Sequence, residues 1–144
     1  MDLFINYKGC IEDVAKEISG LFGIELKKET NEFGENYYMF RFLDIEFVLY
    51  GEHGLEDDCG IVFSEYNYQI QIIKLRSGEK YKSYNDMYDK TAMFLMEKLS
   101  KALESNTMLV DNLQKVVSSI DISEMQKNPS DRNIVGSVAY ASGK

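Results

Sequence analysis

The sequence predicts a single α+β domain, an antiparallel sheet with helices packed on one of its faces. Three observations carry this. Residues 11–22 place apolar side chains at the i, i+3, i+4, i+7 spacing of one helix face. The segments 37–42, 45–50 and 60–75 are rich in aromatic and β-branched residues or alternate apolar with polar. Helical spacing then returns at 86–104. Strands in a block followed by helices argue for α+β organisation over a wound parallel sheet.

Each element has its own reason. Residues 3–7 (Leu-Phe-Ile-Asn-Tyr) predict a short first strand, stopped at Gly9. In the first helix, Ile11, Val14, Ala15, Ile18, Leu21 and Phe22 share a face. Glu12 and Asp13 sit in its first turn, where carboxylates suit the helix dipole, and Gly23 supplies a stop. Residues 25–36 are polar and read as a loop, with room for a short strand at 24–28. The strands 37–42 and 45–50 are separated by Leu43-Asp44, which predicts a hairpin. Residues 51–60 hold three glycines and four acids around His53 and Cys59, and predict a surface loop with Leu55 as its one core candidate. Tyr66, Tyr68, Ile70 and Ile72 then alternate with Asn67, Gln69 and Gln71, giving a strand with one dry face and one wet face.

A second helix follows, capped by Ser83 or Asn85, with Asp86 and Asp89 in its first turn. Tyr88, Ala92, Leu95, Met96, Leu99 and Leu103 form its apolar stripe. Met108-Leu109-Val110 reads as a connector. Asp111-x-x-Gln114 resembles a capping box, so Leu113, Val116, Val117 and Ile120 predict a short third helix. The pattern dissolves beyond that point, giving a domain over 1–121 and a mobile tail over 122–144 that contains the one proline, Pro129.

Charge is the main functional lead. The chain has 144 residues and a net charge of −8. Residues 1–65 carry 15 acidic and 5 basic side chains, a net of −10, while residues 66–144 carry a net of +2. An acidic half repels nucleic acid and anionic lipid and attracts a basic protein surface. No apolar run reaches the length of a membrane span, and the N-terminus lacks a signal-peptide pattern, so a cytoplasmic location is expected. Cys10 and Cys59 fit neither a disulfide framework nor a metal motif and are expected as reduced thiols.

Catalytic and cofactor signatures are sparse. Neither Gly-x-Gly-x-x-Gly nor a Walker-type phosphate loop occurs. His53 stands among Glu52, Glu56, Asp57 and Asp58, so a metal-dependent enzyme site is one alternative, although the calcium-loop pattern is absent. A solvated acidic loop is the plainer reading. A Cys59–His53 nucleophile pair lacks an ordering third member. Tyr66 and Tyr68 beside Lys74, Arg76, Lys80 and Lys82 mimic an RNA-binding sheet, but alternation puts the tyrosines on the dry face. An adaptor whose partner docks on the helices, through residues such as Met93, is a third class.

Two stretches carry a family resemblance. Gly54-Leu55-Glu56-Asp57-Asp58-Cys59-Gly60-Ile61 through Tyr66-Asn67-Tyr68-Gln69-Ile70-Gln71-Ile72, and Met108-Leu109-Val110-Asp111-Asn112-Leu113-Gln114-Lys115-Val116-Val117 after a long helix, resemble small bacterial immunity proteins of polymorphic toxin systems. The resemblance lies in size, acidity and layout. It implies a non-enzymatic, cytosolic protein without cofactor that binds and neutralises a cognate toxin domain, often a nuclease. A nuclease has a basic active-site rim, and fixed carboxylates can oppose it. The candidate partner-binding residues are Glu52, Glu56, Asp57 and Asp58, with Glu32 and Glu35 farther out and Tyr50 and Tyr66 as flanking aromatic anchors.

Overall fold

The computed structural model describes residues 1–51, 53–76 and 79–127. Seven strands form one antiparallel sheet: β1 (Asp2–Asn6), β2 (Lys27–Thr30), β3 (Asn36–Phe42), β4 (Ile45–Tyr50), β5 (Tyr68–Lys74), β6 (Asn106–Asp111) and β7 (Lys115–Ile120). Their spatial order is β2-β3-β4-β5-β1-β6-β7. Helix α1 (Ile11–Phe22) joins β1 to β2, α2 (Lys82–Leu103) joins β5 to β6, and α3 (Ile122–Lys127) follows β7. This is the α+β architecture that the sequence predicts.

Strand β1 is central, and its side chains explain why. Leu3, Phe4 and Ile5 are all fully buried, so this strand needs cover on both faces. On one face Leu3 and Ile5 join Phe47, Leu49, Ile70, Ile72 and Leu109 beneath Val14 and Ile18 of α1 and Ala92, Leu95 and Leu99 of α2. Each fully buried Leu, Ile or Phe contributes about 1.5–3 kcal/mol by leaving water. Phe40 and Phe47 stack across β3 and β4 with centroids 4.5 Å apart, and Phe22 packs on both from α1.

On the opposite face Phe4, Met108 and Val110 form a second, smaller cluster with Ile61 and Phe63. Residues 53–67 therefore make a flap folded back over β1 and β6. This corrects the reading of that segment as surface loop plus strand. Phe63–Glu65 form a turn of 3-10 helix, and β5 begins only at Tyr68. Tyr66 lies before the strand, half-buried beside the flap cluster, and not on the helix-covered face with Tyr68, Ile70 and Ile72.

The predicted third helix is a strand. Residues 115–120 pair with β6 in an antiparallel hairpin. The turn is set by Asn112 and Leu113, both left-handed at φ 52° and 57°. The Leu43-Asp44 hairpin turns the same way, at φ 54° and 58°, matching the twist of its strands. Helix α2 begins at Lys82, four residues earlier than expected. Its N-cap is Tyr81, no side chain caps it, and its first turn holds no acid, so the capping roles read for Ser83 and Asn85 are not realised. The described part of the tail, 122–127, is the helix α3, tied to the sheet by the Ile122 N–H donating to Asn106 Oδ1 at 2.9 Å. Residues 128–144 of the predicted tail lie outside the described residues.

Candidate partner-binding site

Antiparallel order sends the strand connections out at two ends, and the two ends differ in charge. At one end leave the connections 7–10, 31–35, 51–67, 104–105 and residue 121. Among the described residues they carry Glu32, Glu35, Glu56, Asp57, Asp58, Glu65, Glu104 and Asp121 against a single cation, Lys8. At the other end, Asp44 pairs with Arg76 at 2.9 Å. The fold thus sorts acids from four separated stretches of sequence into the connections of one end.

The flap is held by its own polar groups. Asp57 accepts from the Ser64 N–H at 2.9 Å and from the Ser64 hydroxyl at 3.2 Å, closing the loop on itself. Asp58 and Ile61 exchange backbone hydrogen bonds of 3.1 and 2.8 Å around a tight turn at Cys59 and Gly60, both left-handed. His53 is fixed at both ring nitrogens. Nδ1 accepts from the Leu55 N–H at 2.9 Å, which leaves Nε2 to donate to the Tyr66 carbonyl at 2.6 Å. Its ring meets Phe4 edge-on at 5.4 Å. His53 therefore staples the two ends of the flap to each other and rests its ring against the sheet at Phe4. Among the described residues, no three His, Cys, Asp or Glu side chains gather as a metal would need.

The sequence-predicted residues divide accordingly. Glu56 and Asp58 are exposed on the flap. Asp57 is also exposed, but its carboxylate is spent on Ser64. Glu52 lies outside the described residues. Tyr66 is half-buried, and burial pushes its phenol above the ordinary value, with the charges of Glu65 and Asp121 adding to the effect. Tyr50 stands elsewhere, on the open face of β4, 6.0 Å from Tyr37 across the strand pair. Cys10 and Cys59 are both free and exposed.

Two features escaped the sequence reading. The first is the turn joining β2 and β3. Asn31 Oδ1 accepts from the Phe33 and Glu35 N–H groups, both at 2.9 Å, and Gly34 takes φ 79°. This ordered turn holds Phe33 at 78% exposure between Glu32 and Glu35. An aromatic inside an otherwise polar turn was the available signal. The second is a cleft of about 560 Å³ where the flap stops short of the sheet edge. Tyr37, Tyr50, Gln69 and Gln71 form its floor, and Glu35 lines it from the turn while His53 and Leu55 line it from the flap. Tyr50 donates to Gln71 Oε1 at 3.2 Å, and Gln69 donates to Asp2 at 2.9 Å. Burial raises the Asp2 carboxyl above its ordinary range, partly offset by that Gln69 bond.

The helix face has its own groove of about 610 Å³, lined by Leu21, Phe22, Phe42, Met87 and Phe94. Phe94 is 41% exposed there, whereas Met93, the residue expected to be presented, is partly buried against the core. No helix of the described residues is long and apolar enough to cross a membrane. Comparison of the chain with protein-family models, curated proteins and solved structures finds no match in any of the three.

Proposed function

We propose that this protein is a non-enzymatic binder of the immunity type, which neutralises a basic toxin domain by covering it with an acidic surface in the cytoplasm. The observation that carries the reading is the sorting of acids into connections at one sheet end, with the exposed Phe33 held among them. Fixed carboxylates speed encounter and set register, while an aromatic side chain that enters a partner pocket supplies affinity. The roles divide among Glu32, Glu35, Glu56 and Asp58 as charges and Phe33 as the protruding anchor, with Tyr50, half-buried on the open sheet face, as an aromatic contact surface. Asp57 shapes the flap that presents its neighbours.

The test is protection of cells co-expressing the toxin domain encoded beside this gene. Glu56→Lys/Asp58→Lys combined with Phe33→Ser is expected to abolish protection while circular dichroism stays native. Full protection by a folded triple variant overturns the acidic-surface reading. Asp57 is left intact because its carboxylate holds both the N–H and the hydroxyl of Ser64 across the flap, whereas Asp58 holds only the N–H of the adjacent Cys59.

A second reading is favoured by the groove between α1 and α2, where Phe94 is exposed beside Phe22 and Phe42. An adaptor docking there loses its partner with Phe94→Ser and keeps it in the acidic-surface variant.

A further inference from the structure

We propose that the cleft on the open sheet face receives an arginine side chain of the basic partner. This rests on the reading of the protein as a binder of a basic surface, and adds where on that surface the deciding contact falls. The cleft is matched to a guanidinium in shape and in charge. Tyr37 and Tyr50 offer two ring faces 6.0 Å apart, inclined at 38°, on which a planar cation can stack. Glu35 supplies a carboxylate suited to a two-pronged hydrogen bond. Gln69 and Gln71 add polar groups at the floor, and Leu55 and Leu113 add apolar wall for the aliphatic stem. Neither lysine nor arginine lines the cleft; its own bonds are neutral, Asn31 Nδ2 donating to Glu35 Oε1 at 3.2 Å and Tyr50 to Gln71 Oε1, so the Glu35 charge has no cationic partner among the lining residues. The cations on the neighbouring positions of this sheet face, Lys27 and Arg41, are engaged with Glu29 at 3.1 Å and with Glu46 at 3.0 Å.

Arginine is favoured over lysine because its fork is planar and rigid. It stacks and binds a carboxylate at once, whereas an ammonium acts as a strongly hydrated point charge. Phosphate-bearing ligands are disfavoured by Glu35 and by the acidic flap alongside.

The probe is a hexa-arginine peptide, titrated into isotope-labelled protein at low salt and followed by NMR, with hexalysine as its counterpart. The expected result is saturable movement of the Tyr37 and Tyr50 ring resonances. Hexa-arginine should bind at least about threefold more tightly than hexalysine. Glu35→Gln and, separately, Tyr37→Leu should each weaken it at least about threefold while the backbone spectrum stays native. Equal affinity for the two peptides overturns the arginine assignment. Binding that shifts residues around Glu56 and Asp58 but leaves Tyr37 and Tyr50 unmoved overturns the cleft and leaves the acidic-surface reading standing. Binding of neither peptide overturns both.

Discussion

Phe63→Ala tests the idea that the flap is a separately docked layer. Phe63 is almost fully buried and packs its ring on Phe4, with centroids 5.1 Å apart. Removing a buried phenylalanine forfeits the transfer energy of the ring and leaves a cavity, together about 3–5 kcal/mol in a rigid core. The second cluster is small, however, and the flap can lift while the helix-covered cluster stays packed. The loss is then capped by the docking free energy of the flap, and it appears as local opening. Loss of about 3 kcal/mol corresponds to roughly a hundredfold more opening. Amide hydrogen exchange reads this directly. The Leu55, Ile61 and Ser64 amides, all bonded within the flap, should lose about two orders of magnitude of protection. The β4 and β5 amides should keep theirs. A uniform loss across the sheet would show that flap and sheet unfold as one unit. Unchanged flap protection would show that Phe63 does not anchor it.

Three further outcomes follow from particular contacts. His53→Ala removes both hydrogen bonds of the imidazole and its edge contact with Phe4, so it should raise exchange of the Leu55 amide and cost about 1–3 kcal/mol by urea denaturation; an unchanged midpoint would contradict its role as a staple. Leu43→Asn should stabilise the protein by about 1 kcal/mol, since Leu43 is exposed and holds a left-handed conformation that Asn tolerates better; a lowered thermal midpoint would count against this. Asp2→Asn should stabilise at pH 7 and lose that advantage on acidification, because desolvation raises the folded carboxyl above its unfolded value and ionisation therefore weighs against the folded state as pH rises through that window; a variant less stable at pH 7 would reverse the sign.

The readable parts of this fold were those where local pattern and tertiary role agree. The stripe of α1 matches its observed span at both ends because the same residues that define the helical period are the ones it buries. The strand 45–50 is equally legible, since Ile45, Phe47 and Leu49 all enter the helix-covered core. The β6–β7 hairpin departs from the helix its sequence predicts for a physical reason. Leu113, Val116, Val117 and Ile120 satisfy helical spacing by coincidence, and Asp111-x-x-Gln114 mimics a cap. The decisive fact is non-local, namely that Met108, Leu109 and Val110 fill the place beside β1 and pull the following residues into a ladder. β-Branched Val116 and Val117 beside the turn-prone Asn112 were the signal for it. The flap was hidden differently. Leu55, Ile61, Phe63 and Tyr66 follow no period, so their burial depends on the uncovered face of β1 and β6, which sequence alone does not display. Of the candidate site, the acidic residues were visible as charge. The cleft between Tyr37 and Tyr50 was not, because it arises from cross-strand register.

The acidic connections as the partner-facing surface are tested most directly by the salt dependence of association. Stopped-flow rates with the cognate toxin domain would be measured across ionic strength for wild type and for Glu56→Lys/Asp58→Lys. Wild-type association should slow steeply as salt screens the long-range attraction, while the double variant should be slower at low salt and visibly flatter. Superimposable rates and slopes for the two proteins, both folded, would contradict the account.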